Sequence, residues 1–137
     1  MPIVVAARLR VRDGQLTPEF GRHANLAIEQ VKKANGCLAT AFLEDAQLTF
    51  WNLSIWKDEA TMLDYMRSGA HLAAMPDLKN LCDQATILRW EQENADVPTW
   101  LEVYARIPLE GRASMLTHPV PEHLLLSFPK PQIKEEA

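Results

Sequence analysis

The residue types best suited to chemistry in this chain are a histidine and a methionine placed one helical turn apart. His71 precedes Met75 by four positions, so both are predicted to lie on the same face of a helix. A neutral imidazole can accept or donate a proton, or bind a metal, near neutral pH. The alternative is that His71 packs half-buried and hydrogen-bonds to a carbonyl group or to Ser54.

The same two side chains could in principle hold haem iron. Two ligands on one side of one helix, however, cannot reach opposite faces of a porphyrin. Haem ligation by this pair is therefore the least favoured interpretation of His71. No metal site is predicted, and the cofactor stays open, with the absence of a cofactor favoured and haem as the alternative.

Aromatic and polar side chains alternate along a predicted strand that ends at Trp56. Trp51 and Trp56 differ by five positions, so they point to opposite faces of the sheet. Trp56 shares its face with Asn52 and Ser54, a mixed lining that suits an amphipathic ligand. The alternative is that Trp56 is simply a large core residue. Tyr65, on the following helix, could donate its phenolic proton to a ligand or lie at the helix rim with its hydroxyl in water.

Several functional classes leave no trace in the sequence. It contains no glycine-rich phosphate loop, no G-x-S-x-G elbow and no H-E-x-x-H motif. The net charge of −4 argues against nucleic-acid binding, and no helix carries the dense basic face of a membrane-surface protein. His23, in the middle of a predicted helix, and His118 and His123, near the end of the chain, are weaker candidates than His71.

The cellular location is predicted from the start of the chain and from its cysteines. The apolar run at residues 3–7 is too short to span a bilayer, and Arg8 and Arg10 follow it, the opposite order to a secretory signal. Cys37 and Cys82 are isolated, without C-x-x-C or zinc spacing. We therefore expect a cytoplasmic protein with two buried thiols.

The pattern of apolar residues predicts an alternating order of strands and helices. Asp58 is expected to cap the second helix, Ser68 and Gly69 to interrupt it, and Pro76 to kink it or begin another turn. Helices are expected from Thr17 to the stop at Gly36 and after Asp58. Strands are expected at residues 3–12, 37–43, 48–56 and 85–91.

This β-α-β-β-α-β order predicts an α+β, ferredoxin-like plait with a four-stranded antiparallel sheet and both helices on one face. The other face would carry apolar sets such as Trp51, Leu53 and Ile55. An exposed patch of that size implies a partner. The simplest partner is the same face of a second copy, so we expect a homodimer.

The character of the sequence changes after residue 93. A short helix is predicted over residues 98–107, which completes a domain spanning residues 1–107. Residues 108–137 contain five of the nine prolines and are expected to form an extension that is partly disordered or docked on the partner. Residues 123–128 are its only apolar part and could add to a sheet edge or to the partner subunit.

Thirteen residues give the chain a resemblance to the dimeric α/β-barrel superfamily, near the antibiotic-biosynthesis monooxygenases and haem-degrading monooxygenases. It is most similar to an uncharacterised bacterial domain family within that group, with a tryptophan-ended strand, an S-G-A-H-x-x-A-M helix and a P-T-x-x-E-A-like helix. The likeness covers about residues 3–107. The residues that carry it are Ser54, Trp56, Ser68, Gly69, Ala70, His71, Ala74, Met75, Trp90, Pro98, Thr99, Glu102 and Arg106.

The resemblance implies a homodimer whose sheets pack face to face, with a cavity in each subunit between helices and sheet. Three positions depart from the haem-degrading members: Tyr65 replaces a tryptophan, Met75 replaces the iron-binding histidine, and the first strand offers Ala6, Ala7 and Arg8 where they have an asparagine. Their reaction is therefore not carried over to this chain.

Two hypotheses follow from these residues and from the resemblance. In the first, the protein is monooxygenase-like and acts on a small aromatic or polyketide-like compound, with His71 as acid/base and with Trp56, Tyr65, Asn52, Ser54 and Met75 around the ligand. In the second, it is a non-catalytic homodimer that binds a small ligand or has a structural role. Haem binding ranks below both.

Overall fold

Five antiparallel strands form one sheet in the order β2-β3-β1-β4-β5. The computed structural model describes residues 1–132. The strands are β1 (Ile3–Val11), β2 (Cys37–Asp45), β3 (Thr49–Trp56), β4 (Cys82–Glu91) and β5 (Arg112–Ala113). The helices are α1 (Thr17–Lys33), α2 (Glu59–Met66), α3 (Gly69–Leu81), α4 (Trp100–Glu110) and α5 (Pro121–Leu125), with a 3-10 turn at Gly14–Leu16.

The predicted ferredoxin-like plait is confirmed, with one addition. The short strand β5 pairs with β4, with Thr86 opposite Ala113 and Ile87 opposite Arg112. It therefore covers an edge that the four-stranded prediction left free. Strand β4 begins at Cys82, three residues earlier than predicted, because its pairing with β1 continues to Val11.

Local chemistry explains where the second helical segment starts, breaks and continues. The Asp58 carboxylate accepts a hydrogen bond from the Thr61 backbone N–H at 2.9 Å, which is the predicted cap of α2. Gly69, with φ of +59°, then begins α3. Pro76 lies inside α3, and the helix runs on to Leu81. Of the two alternatives predicted for Pro76, a kink or a new turn, the new turn does not form, because α3 is one helix through Pro76.

One face of the sheet packs against α1, α2 and α3. Two apolar clusters lie there: Ile3, Val31, Trp56 and Met62 form one, and Val11, Phe20, Leu81 and Cys82 form the other. Trp56 therefore points toward the helices and Trp51 away from them. Their five-residue spacing predicted opposite faces, and the structure decides which of the two faces the helices. Cys82 is buried as expected, whereas Cys37 is only half-buried.

The other sheet face is covered by the C-terminal part of the same chain. Val103 and Ile107 of α4, together with Phe128, share one core cluster with residues of β1, β3 and β4. Trp51, on this face, lies 6.3 Å from Trp100 between ring centroids. The premise of the dimer prediction, a bare apolar face, is therefore wrong, because α4 and the segment around Phe128 remove that face from water. The homodimer itself stays a prediction.

A buried arginine anchors this cover. The Arg8 guanidinium donates to the Gln84 side chain and lies over the Phe128 ring, 4.2 Å from its centroid. Burial lowers the pKa of Arg8 to about 10. The Phe128 carbonyl accepts from the Tyr104 hydroxyl at 3.0 Å. Residues 126–132 thus form a strap across the sheet.

The sequence predicted a domain over residues 1–107 followed by an extension, and the strap belongs to that extension. The boundary at residue 107 falls inside α4, which ends at Glu110, and residues 112–132 pack on their own chain. Residues 123–128 do not extend the sheet; β5 does, and His123 is buried with its Nδ1 accepting from the Ala85 N–H at 3.1 Å. Residues 133–137 lie outside the described part of the chain.

No helix within residues 1–132 combines the length and the apolar character that crossing a bilayer requires.

Candidate active site

A cavity of about 330 Å³ lies between the helix-facing side of the sheet and helices α1 and α3. Its floor is formed by alternate residues of β1 and β3, which the antiparallel register brings side by side: Val5 lies opposite Ser54, and Ala7 opposite Asn52. Most of its lining is apolar. All six residues predicted to form a site line this one cavity: Asn52, Ser54, Trp56, Tyr65, His71 and Met75.

Three aromatic rings form a row along one wall. The rings of Trp56 and Tyr65 are stacked, with centroids 5.1 Å apart and planes at 27°. Tyr65 in turn lies 5.0 Å from the His71 ring. The Trp56 indole N–H donates to the Ser54 hydroxyl at 2.8 Å. All three rings line the cavity, and the indole N–H of Trp56 is satisfied within the protein.

The hydrogen bonds of His71 determine which ring nitrogen carries the proton. Its Nδ1 lies 3.0 Å from the Met66 carbonyl oxygen. A carbonyl oxygen only accepts hydrogen bonds, so Nδ1 must carry the hydrogen and donate it. In the neutral ring, Nε2 is then the basic nitrogen. The predicted alternative, a half-buried histidine bonded to a carbonyl, is thus compatible with a chemical role.

The position of His71 depends on Gln30 of α1. The Gln30 side-chain carbonyl accepts from the His71 backbone N–H at 2.8 Å, and its amide group donates to the Ser68 carbonyl at 2.9 Å. One side chain thereby holds the turn between α2 and α3. Nothing in the sequence distinguished Gln30 from other polar residues of α1.

Burial sets the protonation states of the two titratable groups in the row. Desolvation lowers the pKa of His71 below its ordinary value, although its bond to Met66 acts in the opposite direction. Burial raises the pKa of Tyr65 to about 12. The Tyr65 hydroxyl donates to the Ala27 carbonyl at 3.4 Å, a long bond. The cavity therefore holds a neutral imidazole and a neutral phenol at neutral pH.

The remaining predicted residues occupy different depths. Asn52 and Ser54 are half-buried in the floor, whereas Met75 is 41% exposed and lies at the rim. Ser114, Met115 and Leu116 also line the cavity, although the sequence placed them in an extension outside the domain. The roles predicted for the six residues stay predictions.

Comparison with known proteins identifies both the family and the fold. Residues 2–77, more than half of the chain, match the family described as antibiotic biosynthesis monooxygenase. No curated protein matches the chain.

Solved structures resemble the chain over about 70% of its length. A conserved protein of Methanosarcina mazei has 23% identity and a TM-score of 0.61, covering 68% of this chain and 94% of its own. The protein Rv0793 of Mycobacterium tuberculosis has 13% identity and a TM-score of 0.64, covering 71% and 100%. SnoaB of Streptomyces nogalater, a cofactor-independent oxygenase solved as a mutant, has 13% identity and a TM-score of 0.54, covering 72% and 98%.

Proposed function

The chain belongs to the antibiotic biosynthesis monooxygenase family, and we propose that it is a cofactor-independent oxygenase acting on a small aromatic or polyketide-like compound. The observation that carries this proposal is His71, a neutral imidazole whose Nδ1 is occupied by the Met66 carbonyl and which lines an apolar cavity. Such a group is a base available to a bound substrate.

The size and lining of the cavity support a flat, mostly apolar substrate. Its volume of about 330 Å³ is at the lower end of the ~300–1,000 Å³ of small-molecule sites. The stacked rings of Trp56 and Tyr65 favour an aromatic ring system. The side-chain amide of Asn52 in the floor can donate a hydrogen bond to a substrate carbonyl or phenolic oxygen.

The proposed reaction needs no reductant besides the substrate. His71 Nε2 removes a proton from a methylene group made acidic by conjugation to a carbonyl, and Asn52 stabilises the resulting oxyanion. The carbanion transfers electrons to O₂ and forms a carbon–oxygen bond. The proton returns to give a hydroperoxide, which loses water to leave a new carbonyl. In balance, one CH₂ and one O₂ become one C=O and one H₂O.

His71 and Met75 cannot serve as the two axial ligands of a haem. His71 and Met75 both belong to α3 and line the cavity from one helix, so they cannot bind opposite faces of a porphyrin. No step of the proposed reaction involves haem.

Oxygen consumption with anthrone, a three-ring ketone with an acidic methylene, tests the proposal. The wild-type protein should consume one O₂ per anthrone converted to the quinone. His71→Ala should lower the rate by about 10²–10⁴-fold, the usual contribution of a general base, with an unchanged far-UV circular dichroism spectrum. His118→Ala, an exposed histidine outside the cavity, is the matched control.

Two results would reject the mechanism in different ways. Full activity in His71→Ala would show that His71 is not the base. Saturable quenching of tryptophan fluorescence by anthrone and by other flat aromatic ketones, without oxygen uptake for any of them, would favour the ligand-binding alternative instead.

A further inference from the structure

A second group of titratable side chains lies between α1 and α3, at the edge of the cavity and away from His71. Glu19 and His23 are four residues apart on α1, so they occupy the same face of the helix. Asp77 approaches them from α3. One ligand atom from each of the three lies within 4.8 Å of the other two.

The buried nitrogen of His23 points to a ligand at this position. The His23 side chain is about nine-tenths buried, and its Nε2 has no hydrogen-bond partner among the described residues. Nε2 nevertheless lies 2.9 Å from the Asp77 Oδ2, so the two atoms are close without the alignment that a hydrogen bond requires. A buried ring nitrogen without a hydrogen bond is uncommon and calls for a partner.

The distance of 2.9 Å between His23 Nε2 and Asp77 Oδ2 agrees with two ligand atoms bound to the same metal ion. With metal–ligand bonds of about 2.1 Å, neighbouring ligand atoms are separated by about 3.0 Å in an octahedral site and about 3.4 Å in a tetrahedral one. Glu19 and Asp77 are both exposed, so their carboxylates can rotate by the small amount needed to admit an ion between them and Nε2.

We propose that Glu19, His23 and Asp77 bind a divalent first-row transition-metal ion, with Zn²⁺ as the favoured ion. An imidazole together with two carboxylates suits this class, because imidazole is preferred by zinc and its neighbours in the series, whereas Mg²⁺ and Ca²⁺ prefer oxygen ligands throughout. Three protein ligands leave at least one coordination position open. The ion ties α1 to α3, the helices that form one wall of the cavity.

This metal site is independent of the proposed oxygenase reaction. The site uses no group assigned to that reaction, so either proposal can fail while the other holds. The competing explanation is an interhelical ion pair between His23 and Asp77 that binds no metal. Glu19 distinguishes the two, because it belongs to the metal site and has no part in the pair.

Isothermal titration calorimetry with Zn²⁺ on tag-free, full-length protein provides the test. The wild type should bind one ion per chain, and Asp77→Asn should weaken binding by more than about tenfold, since even outer partners of metal ligands are worth ~10–100-fold. Glu19→Gln should do the same while keeping an exposed side chain of equal size. Glu29→Gln, an exposed acid farther along α1, is the matched control and should bind as the wild type does.

Cobalt provides a second readout that reports the ligands directly. Co²⁺ should give visible absorption bands with the wild type that are lost in Glu19→Gln and retained in Glu29→Gln. Absence of Zn²⁺ binding to the wild type would overturn the proposal. So would binding that is equally tight in Glu19→Gln, because the ion would then be held elsewhere, for instance by Cys37 or His71.

Discussion

Replacing Phe128 by alanine is expected to lower the free energy of unfolding by about 3 kcal/mol, although Phe128 lies in a segment that the sequence placed outside the domain. The side chain is 7% exposed and belongs to the cluster that covers the outer sheet face. Phenylalanine-to-alanine changes in cores cost about 3–5 kcal/mol. The contact with the Arg8 guanidinium at 4.2 Å adds about 0.5–2 kcal/mol.

The lower end of this range applies because the strap can detach. Besides Phe128, two hydrogen bonds hold it, from the Tyr104 hydroxyl to the Phe128 carbonyl at 3.0 Å and from the Gln132 N–H to Asp45 at 3.0 Å. Leu126 also packs against the cluster, and Pro131 is buried. Each hydrogen bond is worth about 0.5–1.5 kcal/mol, whereas ordering the backbone of residues 126–132 costs about 1–2 kcal/mol per residue, so the strap is expected to detach when the ring is removed. Once the strap has detached, no further stability can be lost, so we expect the lower end of the range for a buried phenylalanine, about 3 kcal/mol.

Urea unfolding followed by tryptophan fluorescence measures this difference. With a slope of about 2 kcal/mol per molar, the midpoint should fall by roughly 1.5 M. Leu124→Ala is the matched control, because Leu124 is in the same segment but 73% exposed, and it should change stability by less than about 0.5 kcal/mol. Equal midpoints for the two variants would refute the covering of the sheet by the strap. Equal midpoints would instead favour a sheet face that is covered by a second copy of the chain. In that case the urea midpoint of the wild type would rise with protein concentration.

Two further predictions concern the site and the turn before β2. Burial lowers the pKa of His71 below its ordinary 6.5. The oxygenase rate should therefore be constant above pH 6.5 and fall as the pH drops through the pKa of His71 in the folded protein. A rate that already falls above pH 6.5 would contradict the assignment of His71 as the base. The contribution of His71 to stability follows the same course, present above pH 6.5 and lost at acid pH. Gly36 has φ of +84° and its added Cβ would overlap the Thr61 side chain, so Gly36→Ala should destabilise by at least about 1–3 kcal/mol in thermal unfolding. Gly21→Ala, with open space around its Cβ in the middle of α1, should stabilise by about 1 kcal/mol, and equal effects of the two changes would show that the turn is not strained.

The candidate site could be predicted from the sequence to the extent that its residues follow local rules. Alternation along β3 placed Asn52, Ser54 and Trp56 on one face, and helical spacing placed His71 beside Met75. The cavity that they share was implied by the resemblance to the dimeric α/β-barrel superfamily. The partners that orient them could not be predicted, because the bond between Gln30 and His71 joins residues 41 positions apart and either residue alone is an ordinary polar side chain.

In the C-terminal part of the chain, the local sequence pattern was insufficient to predict which side chains are buried. The prolines and the acidic end of residues 108–137 predicted an extension, and the elements there bury few side chains, none from β5 and only His123 from α5. Phe128 and His123 are nevertheless buried. Their burial is determined by the shape of the sheet face that they meet, which is built from residues at the other end of the chain.

What the sequence determined by itself was the order of the four long strands and the helices between them, the Asp58 cap of α2, and the family to which the motifs belong, because these depend on neighbours within a few residues. Only the tertiary structure decided that the outer sheet face is covered by its own chain, which nitrogen of His71 is basic, and that Glu19, His23 and Asp77 meet. The cover and the meeting of the three side chains depend on contacts between residues far apart in the chain, which local patterns do not encode. The basic nitrogen of His71 depends on the shape of the turn between α2 and α3, which places the Met66 carbonyl beside Nδ1 and which Gln30 of α1 holds.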